Sequence, residues 1–268
     1  MKLSMWMIAN QLLDLDPVLE IAEDAPAILN SARLAYATNC VYIYQEGNQV
    51  VCNGEGDRII IRDMELNRVF ELIQAIFDSY EDWMAEMEQQ IRQKDYQGMT
   101  ETAHKLLKNP LILFDANSRV LGITREYGEN TLDPEWAYIY RYGYSSINAL
   151  NMIRYSYSDT NFYDSGQQPY QFGNNKLMQY PGISASIYFN EILCGRMNLL
   201  SKNRPLNQGD SQMLASISKI LEASLGQLFF QNAADNSGNI FLNILLKKPY
   251  DAHRLQAQLA FRKWHEED

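Results

Sequence analysis

The sequence predicts an α+β protein: a small N-terminal α/β module, a long connecting helix, and an antiparallel sheet with flanking helices. Three observations predict this class. Short alternating apolar segments bounded by turn residues recur early and late in the chain. Two long stretches, at 64–93 and 211–230, repeat apolar residues every three or four positions. With 268 residues and 46% apolar side chains, the chain can form the core of one large domain or two modest ones.

In chain order, Ser4 caps a helix with Met5, Ile8, Leu12 and Leu15 on one side, and Asp16-Pro17 ends it. Four strand-like pieces follow: "RLAYA", "CVYIYQ", "QVVCNG" and "RIIIRD", with a turn at Glu46-Gly47-Asn48. The stretch 64–93 then carries a stripe of Leu66, Phe70, Ile73, Phe77, Tyr80, Trp83 or Met84, Met87 and Ile91. A helix of that length is a rod of roughly 40 Å. It bridges modules, pairs with a copy of itself, or packs on its own domain. A shorter helix over about Tyr96–Leu107 stops at Asn109-Pro110.

"PLILFDANSRVLGIT" then reads as two strands joined by "DANS", whose Asp and Asn suit a tight turn. From Asp133-Pro134 to about Pro181 the chain is irregular or helical. "GISASIYFNEILCGRMNL", at Gly182–Leu199, is a hairpin turning at Asn190-Glu191, with one wet and one dry face. It leads into the amphipathic helix 211–230, and no reactive side chains gather at the junction. "QNAADNSGN" at 231–239 is linker-like, and a new amphipathic segment follows. The organisation is thus 1–63, a small module; 64–108, two helices; 109–230, the main sheet domain; and 231–268, a linker and the start of a further unit.

The net charge of −10 argues against broad nucleic-acid binding, which needs cations to replace phosphate counterions. Cys40, Cys52 and Cys194 are too scattered for a disulfide framework, although Cys40 and Cys52 are candidates to face each other across a hairpin. His104, His253 and His265 lie far apart, so no metal site is expected. The N-terminus lacks the pattern of a signal peptide, and no apolar run approaches the ~20 residues of a membrane span, so a cytoplasmic protein is expected.

The order of elements resembles the sensor region of the PucR (purine-catabolism regulator) family of bacterial transcription factors. The resemblance is carried by four places. These are the helix around "VFELIQAIFDSYEDWMAEM"; "NPLILFDANSRVLGIT", similar to the first hairpin of a GAF- or PAS-type domain; "ISASIYFNEILCGRMNLL" with the helix after it, similar to the closing strands and final helix of a GAF domain; and "FLNILLKKPYDAHRLQAQLA", similar to the start of the next domain in such regulators. The resemblance implies a GAF/PAS-like antiparallel sheet with flanking helices at 109–230. It also implies a small-molecule effector, a homodimer, and a DNA-binding helix-turn-helix further along a longer chain, of which this would be a sensor fragment. The closing hairpin becomes the back wall of a binding cup, and the helix after it carries the signal outward.

Nine of the seventeen tyrosines fall between Trp136 and Tyr180. Such rings offer wide apolar faces with one hydroxyl each, which suits a ligand pocket. They also suit packing of the sheet or a dimer contact. The candidate ligand-binding residues are Tyr140, Arg141, Tyr144, Arg154, Tyr157, Phe172 and Tyr188, with the two arginines able to fork onto a carboxylate or phosphate. In a strand, Tyr138, Tyr140, Tyr142 and Tyr144 share one face; in a helix they spread around the axis.

No catalytic residue, cofactor or metal is expected, and the chain is read as not being an enzyme. Ser216 and Lys219 match S-x-x-K spacing but lack its companion motifs. "GEGDR" at 54–58 lacks the third glycine of a dinucleotide loop. His104 has no evident partner in sequence and reads as a packing histidine. Glu81, Asp82, Glu86 and Glu88 read as a solvated face. The rival to a ligand sensor is a dimerisation or protein-interaction module whose cup is filled by its own side chains.

Overall fold

The computed structural model describes residues 1–156 and 168–236. The fold is α+β and divides into two compact units. One holds 1–88 with 206–213; the other holds 89–205 with the chain from Leu214 onward.

The first unit opens with α1 (Met5–Ala9), whose N-cap Ser4 accepts a hydrogen bond from the Met7 amide. A five-stranded sheet follows, built from β1 (Val18–Glu20), β2 (Ser31–Arg33), β3 (Cys40–Glu46), β4 (Gln49–Gly54) and β5 (Asp57–Arg62) in the order β1-β5-β4-β3-β2. All neighbours are antiparallel except β2 and β3. Glu55 and Gly56 both have positive φ, which gives the β4–β5 hairpin the twist its strands need. The helix α2 (Leu66–Arg92) crosses the boundary between the units at Glu88. Tyr80, fully buried on α2, donates its hydroxyl to the Met7 carbonyl at 3.1 Å. Residues 206–213 are fixed to α1 by side-chain bonds: Ser4 to Gln212, and a reciprocal amide pair between Asn10 and Asn207.

Several expectations for this unit need correction. The first helix ends at Ala9 rather than Leu15, because Leu13–Leu15 form a separate 3-10 turn with no buried residue. Only Arg33 of "RLAYA" is in a strand; Leu34 and Tyr36 are exposed. Cys52 stands opposite Ile43 and Cys40 beside Ser31, so the two thiols do not face each other. All three cysteines are free and buried. On α2 the buried stripe runs through Val69, Ile73, Ile76, Phe77, Tyr80, Trp83, Met87 and Ile91, with Leu66 and Phe70 only half-buried. Glu81, Asp82, Glu86 and Glu88 are exposed.

The second unit continues with α3 (Tyr96–Leu107), capped by Asp95, and then the hairpin β6 (Leu111–Asp115) and β7 (Val120–Ile123). In the intervening turn, Asp115 Oδ1 accepts from the Asn117 and Arg119 amides. Two helices follow, α4 (Pro134–Tyr142) and α5 (Ile147–Ser156), then β8 (Tyr170–Phe172), β9 (Gly182–Phe189), β10 (Ile192–Leu200) and the long α6 (Gln208–Asn236). The sheet is antiparallel throughout, in the order β7-β6-β10-β9-β8. It is the antiparallel sheet with flanking helices expected from the sequence.

Alternation sorts its side chains onto two faces. Leu111, Leu113, Ile183, Ala185, Ile187, Met197 and Leu199 form the dry face, each at most 1% exposed. This face meets α3 and α6. A Cβ on Gly122 would come within 2.6 Å of the Tyr96 carbonyl on α3, and one on Gly195 within 2.7 Å of Leu225 on α6. Ile112, Phe114, Ser184, Ser186, Arg196, Asn198 and Leu200 occupy the other face, toward α4. A bulge between Leu193 and Gly195 places two residues of β10 against one of β9.

Two further readings change. The helix α6 runs to Asn236, so the linker-like composition from Gln231 does not end it there. Residues 208–231 of α6 are also long and apolar enough by composition to cross a membrane, contrary to the expectation that no such stretch exists. Here its Leu214, Ile217, Leu221 and Leu225 are buried in protein. The segment beyond 236, including the resemblance at 241–260, lies outside the described residues.

Candidate functional site

The wet face of the second sheet is roofed by α4 and the start of α5. Asp133 and Pro134 determine where α4 begins. Asp133 Oδ1 caps the Trp136 amide at 2.8 Å, and proline suits the first helical position. Gly143, at φ 73°, ends the helix by donating its N–H to Ile139. The second Asp133 oxygen accepts from the Gln179 amide at 3.1 Å and so ties the loop before β9 to the helix start. Trp136 and Ile139 face the sheet and pack with Ile112, Phe114, Phe172 and Leu200. Gly182 makes room for the Phe172 ring: a Cβ there would lie 2.5 Å from Cζ of that ring.

Between roof and sheet lies a partly open recess with about 30 Å³ of free space. That space holds one or two water molecules. Its walls are Ile112, Phe114, Trp136, Ile139, Ala149, Phe172, Met178 and Leu200, with Asp133, Glu135, Ser145, Arg196 and Asn198 as polar groups. The arginine guanidinium lies 5.6 Å from the Phe114 ring centroid, a cation–π distance. Asn198 accepts from the Ser184 hydroxyl at 2.7 Å.

Glu135 is 5% exposed. Its carboxylate accepts from the Ser146 amide at 2.9 Å and the Ser146 hydroxyl at 2.5 Å. That hydroxyl in turn accepts from the Ala149 amide, which couples Glu135 to the first turn of α5. Burial pushes the Glu135 carboxyl up to about 7, against the Ser146 bonds and the Arg196 charge, which favour its ionised form. Burial also raises Asp133, opposed by the backbone amides it caps.

Among the described candidate ligand-binding residues, Phe172 alone lines the recess. Tyr140 and Arg141 point outward on α4, where Tyr140 is 41% exposed and Arg141 pairs with Glu129. The tyrosine run is helical up to Tyr142, so its rings spread around the axis, with Tyr138 and Tyr142 in contact at i, i+4. Tyr144 is buried after α4, bridged to Arg119, and Tyr188 is half-buried further along β9; neither lines the recess. Tyr157 and the side chain of Arg154 lie outside the described residues. His104 bonds Glu126 through Nε2 at 2.7 Å and lies near the Asn109 carbonyl at 3.0 Å, so it has partners the sequence did not reveal. Ser216 and Lys219 lie on α6, with Lys219 exposed.

Sequence reasoning passed over Asp133, Glu135, Arg196 and Asn198. The available signal was the polar even-numbered positions of the closing hairpin, together with an Asp-Pro helix start ahead of an aromatic helix.

No family model matches the sequence, and no curated protein matches it. Among solved structures, the wild-type photosensory core module of a Stigmatella aurantiaca phytochrome is similar over 77% of this chain, at 10% identity and a TM-score of 0.37. The match spans 46% of that chain, less than half its length. A likeness at this level carries no argument about what the recess binds.

Proposed function

We propose that the second unit is a ligand-sensing domain within a PucR-type transcription regulator. One observation carries the sensor reading: the recess joins apolar rings to a few placed polar groups, the composition of a small-molecule site. Its roof, α4 and α5, lies across the sheet from α3 and α6. A bound molecule shifts the protein between two arrangements only to the extent that it binds one of them better. The regulator assignment rests on the sequence resemblance. On this reading the chain is a cytoplasmic, non-enzymatic homodimer without a cofactor. It acts on DNA through a helix-turn-helix domain elsewhere in a longer protein.

The small free volume of the recess favours the second reading, an interaction module filled by its own side chains. A thermal-shift screen against small metabolites at two protein concentrations separates the two. A ligand at one hundred times its dissociation constant adds about 2.7 kcal/mol, a rise of several degrees. No rise with any compound, combined with a melt that falls on dilution, replaces the sensor with the interaction module.

A further inference from the structure

At one end of the second unit the described residues leave an apolar patch half open. Phe189 and Ile192 stand opposite each other at the tip of the β9–β10 hairpin. Phe189 seats on α6 at Gly226, where an added Cβ would lie 2.4 Å from its ring. Phe230, further along α6, meets Phe189 edge to face at 6.5 Å and Phe229 at 5.5 Å. Yet Phe230 is 48% exposed and Ile192 38% exposed. Phe189 and Phe229 are half-buried. Hairpin tip and helix end thus present one contiguous surface of three rings and a branched aliphatic side chain. Contiguous exposed apolar surface of this kind marks a place where something docks.

The chain itself supplies the cover. Helix α6 is described to Asn236, six residues past Phe230 and so about 9 Å further along its axis. Four residues later begins Ile240-Phe241-Leu242-Asn243-Ile244-Leu245-Leu246, apolar at every position except Asn243. The four steps from Asn236 to Ile240 span at most about 14 Å, enough to double back to Phe230. Gly238 and Asn239 are the residue types that let a chain reverse at a helix end. We propose that residues 240–246 dock on the patch formed by Phe189, Ile192, Phe229 and Phe230. The chain beyond α6 is then fastened to the hairpin instead of joined to the helix alone. Lys247 and Lys248 follow the docked segment, and the exposed Glu191 in the hairpin turn offers them an opposite charge. The tether favours this occupant over a second copy: a short linker holds its segment at an effective concentration in the millimolar range. Docking here does not depend on what the recess binds.

The test is hydrogen exchange of the full chain, read peptide by peptide with mass spectrometry. In wild type the amides of 240–246 should be protected, and dilution should not change this. Ile192→Ser and Phe230→Ser each remove part of the patch at an exposed position. Each should speed exchange in 240–246 by about tenfold or more, the scale of losing one buried apolar side chain. Strands β6 and β10 should keep their protection in both variants, which shows the fold intact. Ile192 lies far from 240–246 in sequence, so its effect cannot come from fraying of α6. The double variant Leu242→Ser, Leu245→Ser acts from the other side and should speed exchange at the hairpin tip. Unprotected amides at 240–246 in wild type overturn the proposal. Protection that survives in a folded Ile192→Ser overturns it too, because the segment is then held elsewhere. Protection lost on dilution assigns the patch to a second copy. An unchanged hairpin tip in the double variant also overturns the proposal, and that readout stands even if the patch variants fail to fold.

Discussion

The two faces of the second sheet come from the same strands and differ in every other respect. On one, Met197, Leu199, Ile183 and Ile187 are almost fully buried against α3 and α6, and glycines at 122 and 195 let those helices approach closely. On the other, the hairpin places Gly182, Ser184, Ser186, Arg196 and Asn198, with Leu200 as its apolar residue opposite Gly182. Both faces are covered by protein, so solvation does not explain the polar one. A buried polar group costs free energy unless it is hydrogen-bonded, and a hydrocarbon there would pack more stably. The dry face therefore holds the unit together, while the wet face gives up stability for a recess.

Substitutions can break or sharpen this contrast, and three are ranked here by expected size. Met197→Ala, on the dry face, should cost about 2–5 kcal/mol, as large-to-small changes do in closed cores. Urea unfolding measures it, and a cost below about 1 kcal/mol would show that this face is not the core.

Glu135→Gln comes second and depends on pH. The folded carboxyl keeps its proton up to about pH 7, against an ordinary value of 4.5. Unfolding in that window releases the proton, so this group's contribution is present below about 4.5 and declines as pH rises to 7. The neutral isostere removes the decline. Between pH 5 and pH 8 it should gain on wild type by at most about 3 kcal/mol. Parallel pH profiles for the two proteins would show that Glu135 stays ionised in the fold.

Ser184→Ala is the smallest, at about 1 kcal/mol, because it removes one buried bond to Asn198 and leaves the oxygen a water can reach through the recess. A loss as large as that of Met197→Ala would erase the distinction between the faces.

The sequence made the dry face legible and left the wet one obscure. Helices α2, α3 and α6 and the hairpins β3–β4 and β6–β7 follow from local periodicity and turn residues. Strands β1 and β2 do not, because each is three residues long and gains its identity from a distant partner: β1 from β5, and β2 from a parallel pairing with β3. The recess was harder still. Its cation and its raised carboxyl lie 61 positions apart, and only the fold brings Arg196 near Glu135. Aromatic density singled out Phe172, which lines the recess, but not Trp136 and Ile139, which α4 turns inward while it leaves Tyr140 and Tyr142 outside.

The bulge in β10 acts as a phase buffer for this division of labour. Leu193 and Gly195 pair with consecutive residues of β9, so Cys194 is surplus to the ladder. Excising Cys194 alone leaves Arg196 and Asn198 pointing where they now point. Losing any one residue between Arg196 and Leu199 throws part of the strand out of step and exchanges recess side chains for core ones. Along this strand, evolution can shorten the chain by one residue at a single place and still keep its binding wall.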